Sequence, residues 1–164
     1  KFDIPILLSL TFLPIISIIA VPLYIYQYGI VWQEPLILIV GWFIAGTGIT
    51  VGYHRLFSHR AFKTYNIVEW LFMICGSMAL QNTILNWCSD HRRHHKRLDT
   101  EDDPYSIKRG FFHAHIGWIV KKSNREIEGV SDLRKKSAII FQTKYYWCLN
   151  PMLFRQIANS KRWD

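Results

Sequence analysis

Two long stretches without charge constrain this chain more than any other feature. Residues 4–26 carry no charged side chain, and their small polar residues are Ser9, Thr11 and Ser17. Residues 35–54 form a second such run of 20 residues. A helix that crosses the hydrocarbon core of a bilayer needs about 20 residues at about 1.5 Å each. The sequence therefore predicts an all-α membrane protein that begins with a hairpin of two spans.

Glycine and proline positions refine this hairpin. Pro14 would break a soluble helix, but membrane helices tolerate such residues when neighbours satisfy the freed carbonyl. Pro35 suits the first position of the second helix. Gly48 and Gly52 stand at the spacing that lets two helices approach closely. We therefore expect another helix to pack against this end of the second span.

The basic residues predict an orientation and exclude one class of partner. The net charge is +8, yet of the 20 Lys and Arg residues only Lys1 precedes Arg55. Loops on the cytoplasmic side of a membrane carry an excess of Lys and Arg. We therefore expect both ends of the hairpin to face the cytoplasm. The basic residues form no single run interleaved with stacking aromatics, which argues against a nucleic-acid partner. A lipid bilayer with anionic headgroups, or an anionic carrier molecule, fits them better.

The remaining segments are too short or too polar to span. Residues 67–80 and 111–120 are apolar enough for interfacial helices, whereas residues 137–149 are too polar to cross. The three cysteines lack the CxxC spacing of metal sites and are expected to be free thiols in a reducing compartment. They are Cys75, Cys88 and Cys148.

Histidines carry the clearest chemical signal. All seven lie between positions 54 and 115. On a helix His91, His94 and His95 share one face, because positions i, i+3 and i+4 lie within about 100°. Three imidazoles flanked by arginines would repel one another if protonated, and a bound metal would keep them neutral. Iron, zinc, copper and nickel all accept imidazole.

A second histidine pair stands at the end of the second predicted span. His54 and His59 are five residues apart, about 140° around an α-helix. They would not share a face tightly, so the helix is expected to end or bend between them. Both rings could then turn towards the site formed by His91, His94 and His95.

The motifs around these histidines resemble the membrane acyl-CoA desaturases of the stearoyl-CoA, delta-9 type. Residues 48–60, Gly-Ile-Thr-Val-Gly-Tyr-His-Arg-Leu-Phe-Ser-His-Arg, resemble the family's first histidine box. Residues 89–96, Ser-Asp-His-Arg-Arg-His-His-Lys, resemble its second histidine box. The stretches at 99–106 and 109–118 also match in order and spacing. The resemblance runs from about residue 36 to residue 122.

The resemblance implies oxygen-dependent removal of two hydrogens from a saturated fatty acyl-CoA chain. Two non-haem iron ions would activate O2, and electrons would come from a b-type cytochrome or a ferredoxin. The protein would be a multi-pass membrane protein of the bacterial inner membrane or the endoplasmic reticulum, with its histidine boxes facing the cytoplasm.

Individual roles follow from the same resemblance. The matching iron ligands are His54, His59, His91, His94 and His95. The positions that contact the substrate carrier are Asn82, Asp90 and Lys122. Ser89 departs from the arginine common in the family. A polar group closing a helix end is the alternative for Asn82 and Asp90, and a solvated surface lysine is the alternative for Lys122.

Other polar groups near the boxes receive structural interpretations. His113 and His115 are expected to have second-shell or structural roles. Asp99, Glu101, Asp102 and Asp103 are expected to form a solvated loop that neutralises nearby Arg and Lys side chains, although they could also be carboxylate ligands.

The chain departs from the family in lacking a third histidine box, because no histidine follows His115. Two irons take about eight or nine protein donors, and the two boxes offer five. We therefore expect one truncated desaturase domain, the front portion of a four-span enzyme. Residues 1–55 would form the hairpin, 56–122 a cytosolic helical cap with the boxes, and 123–164 a polar tail. Unless another chain supplies the missing ligands, we expect a weak or partial metal site and no desaturation. The alternatives are an inactive desaturase remnant, a related diiron hydroxylase and a membrane zinc-binding protein.

Overall fold

The computed structural model describes residues 2–121 and 126–149, with side chains up to residue 146. This part of the chain is helical apart from one isolated antiparallel bridge between Phe2 and Lys121. The helices are α1 (Ile4–Tyr28), α2 (Gln33–Thr47) continued by a π-helix (Gly48–Ser58), α3 (Asn66–Ser77), α4 (Ile84–Lys96), α5 (Trp118–Val120) and α6 (Ser137–Leu149). Two short 3-10 helices, Ile107–Arg109 and Leu133–Lys135, and a second π-helix, His113–Gly117, complete the list. The all-α prediction is confirmed.

The first two helices form the predicted hairpin. Helix α1 begins where the Asp3 carboxylate accepts the Ile6 amide, and it ends at Gly29, whose φ of 75° few other residues adopt. It runs through Pro14 without a break. Helix α1 and the continuous stretch Gln33–Ser58 have 25 and 26 residues, and both are long and apolar enough to cross a membrane. No residue of α1 is buried within the protein, so its apolar surface is available to lipid.

The core lies beside the π-helix, between α3, α4 and α6. Its centre is formed by Tyr53, Phe57, Met73, Ile84 and Cys88. Val130, Leu133, Ala138 and Ile139 complete the same cluster. These four residues belong to the stretch 123–164 that was expected to be a polar tail. This correction arises because these apolar side chains are spaced three, five and one residues apart and form no regular period in a polar segment. Residues 150–164 lie outside the described part of the chain.

Gln142 connects four helices inside this core. Its amide nitrogen donates to the hydroxyls of Tyr53 and Ser77, and its amide oxygen accepts the Ile84 backbone N–H at 2.8 Å. The side chain is 1% exposed. A buried polar group is tolerated only when it is hydrogen-bonded, so Gln142 holds the π-helix, α3, α4 and α6 in one arrangement.

The glycines of the second span permit close contact with α3, as predicted. A Cβ atom added at Gly48 would overlap the backbone of Cys75 and Gly76, and one at Gly52 would lie 2.9 Å from the Phe72 Cβ. Gly46, two residues earlier, has no heavy atom within 4 Å of such a position. The contact at Gly48 is therefore between backbones, where no side chain can move aside.

This contact yields a matched pair of substitutions. Gly48→Ala should destabilise the protein by about 1–3 kcal/mol or more, because α3 must shift to admit the methyl group. Gly46→Ala should be neutral or slightly stabilising, since alanine is the better helix former. Thermal unfolding in detergent measures both. Equal midpoints for the two variants would contradict the close packing described here.

Candidate metal centre

The π-helix brings the first histidine pair together. In a π-helix each N–H bonds to the carbonyl five residues earlier, and the His59 N–H donates to the His54 carbonyl at 2.9 Å. The helix does end between the two histidines, at Ser58, but its π winding is what aligns them. Their Nε2 atoms are 3.0 Å apart. An α-helix would have left the rings about 140° apart.

The second pair comes from α4. Thr83 caps this helix, since its hydroxyl accepts the Asn86 N–H at 3.2 Å. The Nε2 atom of His91 lies 3.1 Å from that of His59 and 3.1 Å from that of His95. The ring of Trp87 stacks on His91, with centroids 4.8 Å apart, which limits the rotation of the imidazole.

Four imidazoles thus converge on one point. The ligand atoms of His54, His59, His91 and His95 all lie within 4.8 Å of one another. Nitrogen atoms do not cluster this closely without a shared proton or a shared cation, because their lone pairs repel. The donor set fits a transition-metal ion that accepts imidazole nitrogen.

His94, the fifth histidine of the boxes, has a different arrangement. Its Nδ1 lies 2.8 Å from the Asp103 carboxylate, and its ring centroid is 5.4 Å from that of His95. Metal-bound histidines usually donate their second ring N–H to a carboxylate in this way. Nε2 of His94 therefore remains available for a ligand, while Nδ1 is engaged.

Asp103 corrects the prediction of a fully solvated acidic loop. It is 0% exposed, and its carboxylate also accepts the backbone N–H groups of Asp99 and Tyr105, both at 2.9 Å. Burial alone would raise the pKa of Asp103, but these two N–H groups and His94 together lower it. Two other acids of the loop behave as expected, since Arg97 pairs with Asp102 and Arg109 with Glu101.

Burial and the neighbouring imidazoles favour the neutral form of His59 and His91. The pKa of His91 is lowered to about 3, first by burial and then by the neighbouring imidazoles. The pKa of His59 is lowered for the same reasons, with a further contribution from Arg92. Neutral imidazole is the form that binds metal, so protons compete weakly for the ring nitrogens of His59 and His91 near neutral pH.

Two of the predicted substrate-binding residues have partners within the protein. The Asn82 side-chain oxygen accepts the Thr83 N–H at 2.8 Å and the Asn86 amide at 2.9 Å. The Asp90 carboxylate accepts from Arg93 at 3.0 Å. Both arrangements also fit the alternative of a polar group near a helix end. Lys122 lies outside the described residues.

The last two histidines are not in the cluster. His113 is buried and its Nε2 lies 3.2 Å from the Pro104 carbonyl. His115 is exposed and stacks on Phe111, with ring centroids 5.6 Å apart. Their positions agree with a structural role.

Cys75 and Cys88 are free thiols as expected, and burial raises the pKa of Cys88 to about 12.

A paired set of histidine boxes on these helices is the pattern of a known family, and a family model described as "Fatty acid desaturase" matches residues 30–158. The chain belongs to the fatty acid desaturase family. This match begins before and ends after the stretch 36–122 on which the motifs had suggested it. The predicted family is confirmed.

Three relatives of this desaturase-family chain are named as fatty-acid or acyl-CoA desaturases. It is 36% identical to the Delta(9)-fatty-acid desaturase fat-6 of Caenorhabditis elegans over 79% of this chain and 40% of that protein. It is 40% identical to the Acyl-CoA Delta(11) desaturase of Spodoptera littoralis over 70% of this chain and 36% of that protein. Identity to the human Stearoyl-CoA desaturase is 37% over 64% of this chain and 31% of that protein. The chain spans about a third to two fifths of the length of these curated relatives.

The lowered pKa of His91 makes the stability of the metal-free desaturase-family chain depend on pH. The unfolded chain takes up a proton as the pH falls below about 6.5, whereas folded His91 stays neutral until about pH 3. Stability therefore falls as the pH is lowered through this interval, because the unfolded state binds more protons. Thermal midpoints of chelator-treated protein from pH 7.5 to 4.5 should decrease steadily.

The control for this pH series is His91→Gln. Since glutamine does not titrate, the midpoint of this variant should fall less steeply with decreasing pH. An identical slope for the variant and the parent chain would contradict the assignment of the effect to His91.

Proposed function

We propose that this chain forms part of the catalytic centre of an acyl-CoA desaturase. The reaction is the oxygen-dependent removal of two hydrogens from a saturated fatty acyl chain at a non-haem diiron centre, as a step in unsaturated fatty acid biosynthesis. The observation that carries the proposal is the convergence of four histidine nitrogens within 4.8 Å, in a chain whose relatives are named acyl-CoA desaturases.

The donor set is compatible with iron, and the family favours iron over other metals that accept imidazole. His54, His59, His91 and His95 would hold one ion through Nε2, and His94 would offer its Nε2 to a second ion. Two irons take about eight or nine protein donors, so the proposal includes ligands beyond these five. Iron bound here would activate dioxygen for attack on an unactivated methylene group.

The residues of the chain prepare this site in three ways. Burial keeps His59 and His91 neutral and ready to bind. The Asp103 carboxylate holds the Nδ1 side of His94, so that its Nε2 has a fixed direction. Carboxylates neutralise the arginines beside the second box, including Arg92 through Asp132 and Arg93 through Glu128. These pairs would offset part of the positive charge that a bound cation meets, although Arg92 still acts on His59.

Substrate and partners follow from the surfaces around the site. The two apolar helices would lie in a lipid bilayer, and the basic segment after Arg55 would face the cytoplasm, in a bacterial inner membrane or the endoplasmic reticulum. An acyl-CoA would present its chain to the site from the membrane side. Asn82, Asp90 and Lys122 remain the proposed contacts for its polar carrier. A b-type cytochrome or a ferredoxin would supply electrons.

Metal content and lipid composition test the proposal together. The chain purified in detergent should contain iron. The His91→Ala variant should lose most of this iron, because the substitution removes the donor that lies 3.1 Å from both His59 and His95. His115→Ala, at an exposed position outside the cluster, should retain the iron content of the parent. New monounsaturated acyl chains in the expressing cells would support desaturation, whereas iron without them would limit the proposal to metal binding.

A membrane zinc-binding protein is the second candidate. Four nitrogen donors around one point suit tetrahedral zinc, and the closeness of the four Nε2 atoms favours a single ion. Zinc does no redox chemistry. Stoichiometric zinc, with no iron after growth in iron-rich medium, would favour this candidate and overturn the proposed oxidation.

The Asp103–His94 pair can be tested separately. Asp103→Asn has nearly the same shape but loses the charge that holds the imidazole N–H. Metal affinity should fall by about 10- to 100-fold, as is typical when a carboxylate partner of a metal-bound histidine is removed. Asp102→Asn, in the exposed part of the same loop, is the control. The same affinity in Asp103→Asn and the parent would show that His94 is not a ligand.

A further inference from the structure

Arg92 lies between the histidines of the second box, and its guanidinium reaches the first box. Its Nε donates to the Ser58 carbonyl at 2.9 Å, and its Nη2 donates to the Phe57 carbonyl at 2.6 Å. Its Nη1 donates to the Gly129 carbonyl at 2.6 Å. Both Nη atoms also bind Asp132, at 2.8 and 3.1 Å. Arginine has five N–H donors, and this geometry uses every one.

Two of the three carbonyls that Arg92 binds, those of Phe57 and Ser58, are at the end of the π-helix. The last carbonyls of a helix have no partner within it, and a cationic donor there also interacts favourably with the helix dipole. The earlier His54 and Arg55 carbonyls accept the N–H groups of His59 and Ala61. Arg92 therefore completes the termination of this helix from a different helix.

One peptide group is held at both of its polar atoms. The Ser58 carbonyl accepts from Arg92, while the His59 N–H of the same peptide donates to the His54 carbonyl. Because a peptide group is planar and rigid, fixing both atoms fixes the direction in which the His59 side chain leaves the backbone. Arg92 directly follows His91, whose Nε2 lies 3.1 Å from that of His59.

Asp132 holds the guanidinium in place. It binds Arg92 with both oxygens and also pairs with Arg60 at 2.9 Å. The Arg92 side chain is 16% exposed, so this pair is shielded from much of the solvent. A bidentate pair of this kind constrains direction as well as distance.

We infer that Arg92 is a positioning residue that sets His59 of the first histidine box against His91 of the second. Lysine could not replace it, since a single ammonium nitrogen cannot reach the Phe57, Ser58 and Gly129 carbonyls and Asp132 together. The inference rests on the proposed metal centre, because it assigns Arg92 a role in arranging that centre's ligands.

Arg93 offers a matched control. It is the next residue of α4, its side chain is 7% exposed, and it pairs with Asp90 and Glu128. It also donates to the Glu126 carbonyl at 2.6 Å. These partners lie outside the first box, so Arg93→Lys disturbs a similar ion-pair network without releasing the peptide before His59.

The test is a cobalt(II) titration of the full chain in detergent, after removal of other metals. Arg92→Lys should weaken cobalt binding about tenfold or more, the range found for residues that orient metal ligands. Arg93→Lys should bind cobalt nearly as tightly as the parent, although both metal-free variants lose thermal stability. Asp132→Asn should weaken binding in the same direction as Arg92→Lys and provides a second variant if Arg92→Lys does not fold.

A double-substitution cycle separates positioning from general destabilisation. If Arg92 acts through His59, then Arg92→Lys should have no further effect on cobalt affinity in a His59→Ala background. Parent-like binding by Arg92→Lys, an equal loss in Arg93→Lys, or an undiminished loss in the His59→Ala background would each overturn the inference. Failure of the parent chain to bind cobalt at all would instead overturn the proposed metal centre, and this inference with it.

Discussion

At Gly48 the second apolar helix changes from α to π winding, and the arrangement of the site depends on that change. The π segment runs for 11 residues to Ser58, and its hydrogen bonds to the fifth preceding carbonyl bring His54 and His59 into register. The segment starts where the backbone of α3 touches Gly48. It stops at Ser58, and two residues later Arg60 has a φ of 53°, a conformation that does not continue a helix. Long π-helices are rare and are found mostly at functional sites, which agrees with this position beside the histidine cluster.

Carboxylates around the histidine cluster pair with the arginines of the second box. Arginines lie next to imidazoles that must stay neutral and beside a site that would hold cations. Each of Arg92, Arg93 and Arg97 is matched by a carboxylate: Asp132, Glu128 and Asp102 respectively. These ion pairs offset part of the positive charge near the boxes, although Arg92 still contributes to lowering the pKa of His59.

Sequence patterns succeeded where the information is local. The two charge-free runs and the glycine spacing depend only on nearby residues, and the structure agrees with both. Of the second box, His91 and His95 join the cluster, whereas His94 contacts Asp103. Asp103 was misjudged because its neighbours are charged and solvated, and only the fold of the loop buries it against His94. The segment 130–146 was underestimated for a related reason, since Ile139 and Gln142 reveal their role only through contacts with residues more than 50 positions away.

The sequence by itself determined the family, the two apolar helices and the identity of the histidines, because these follow from composition, length and spacing along the chain. Only the tertiary structure decided how the histidines meet. Convergence of four nitrogens requires a change in helix winding, a close backbone contact at Gly48 and the reach of Arg92 from one helix to another. Such features depend on distances between residues remote in sequence, and those distances exist only after the helices have packed.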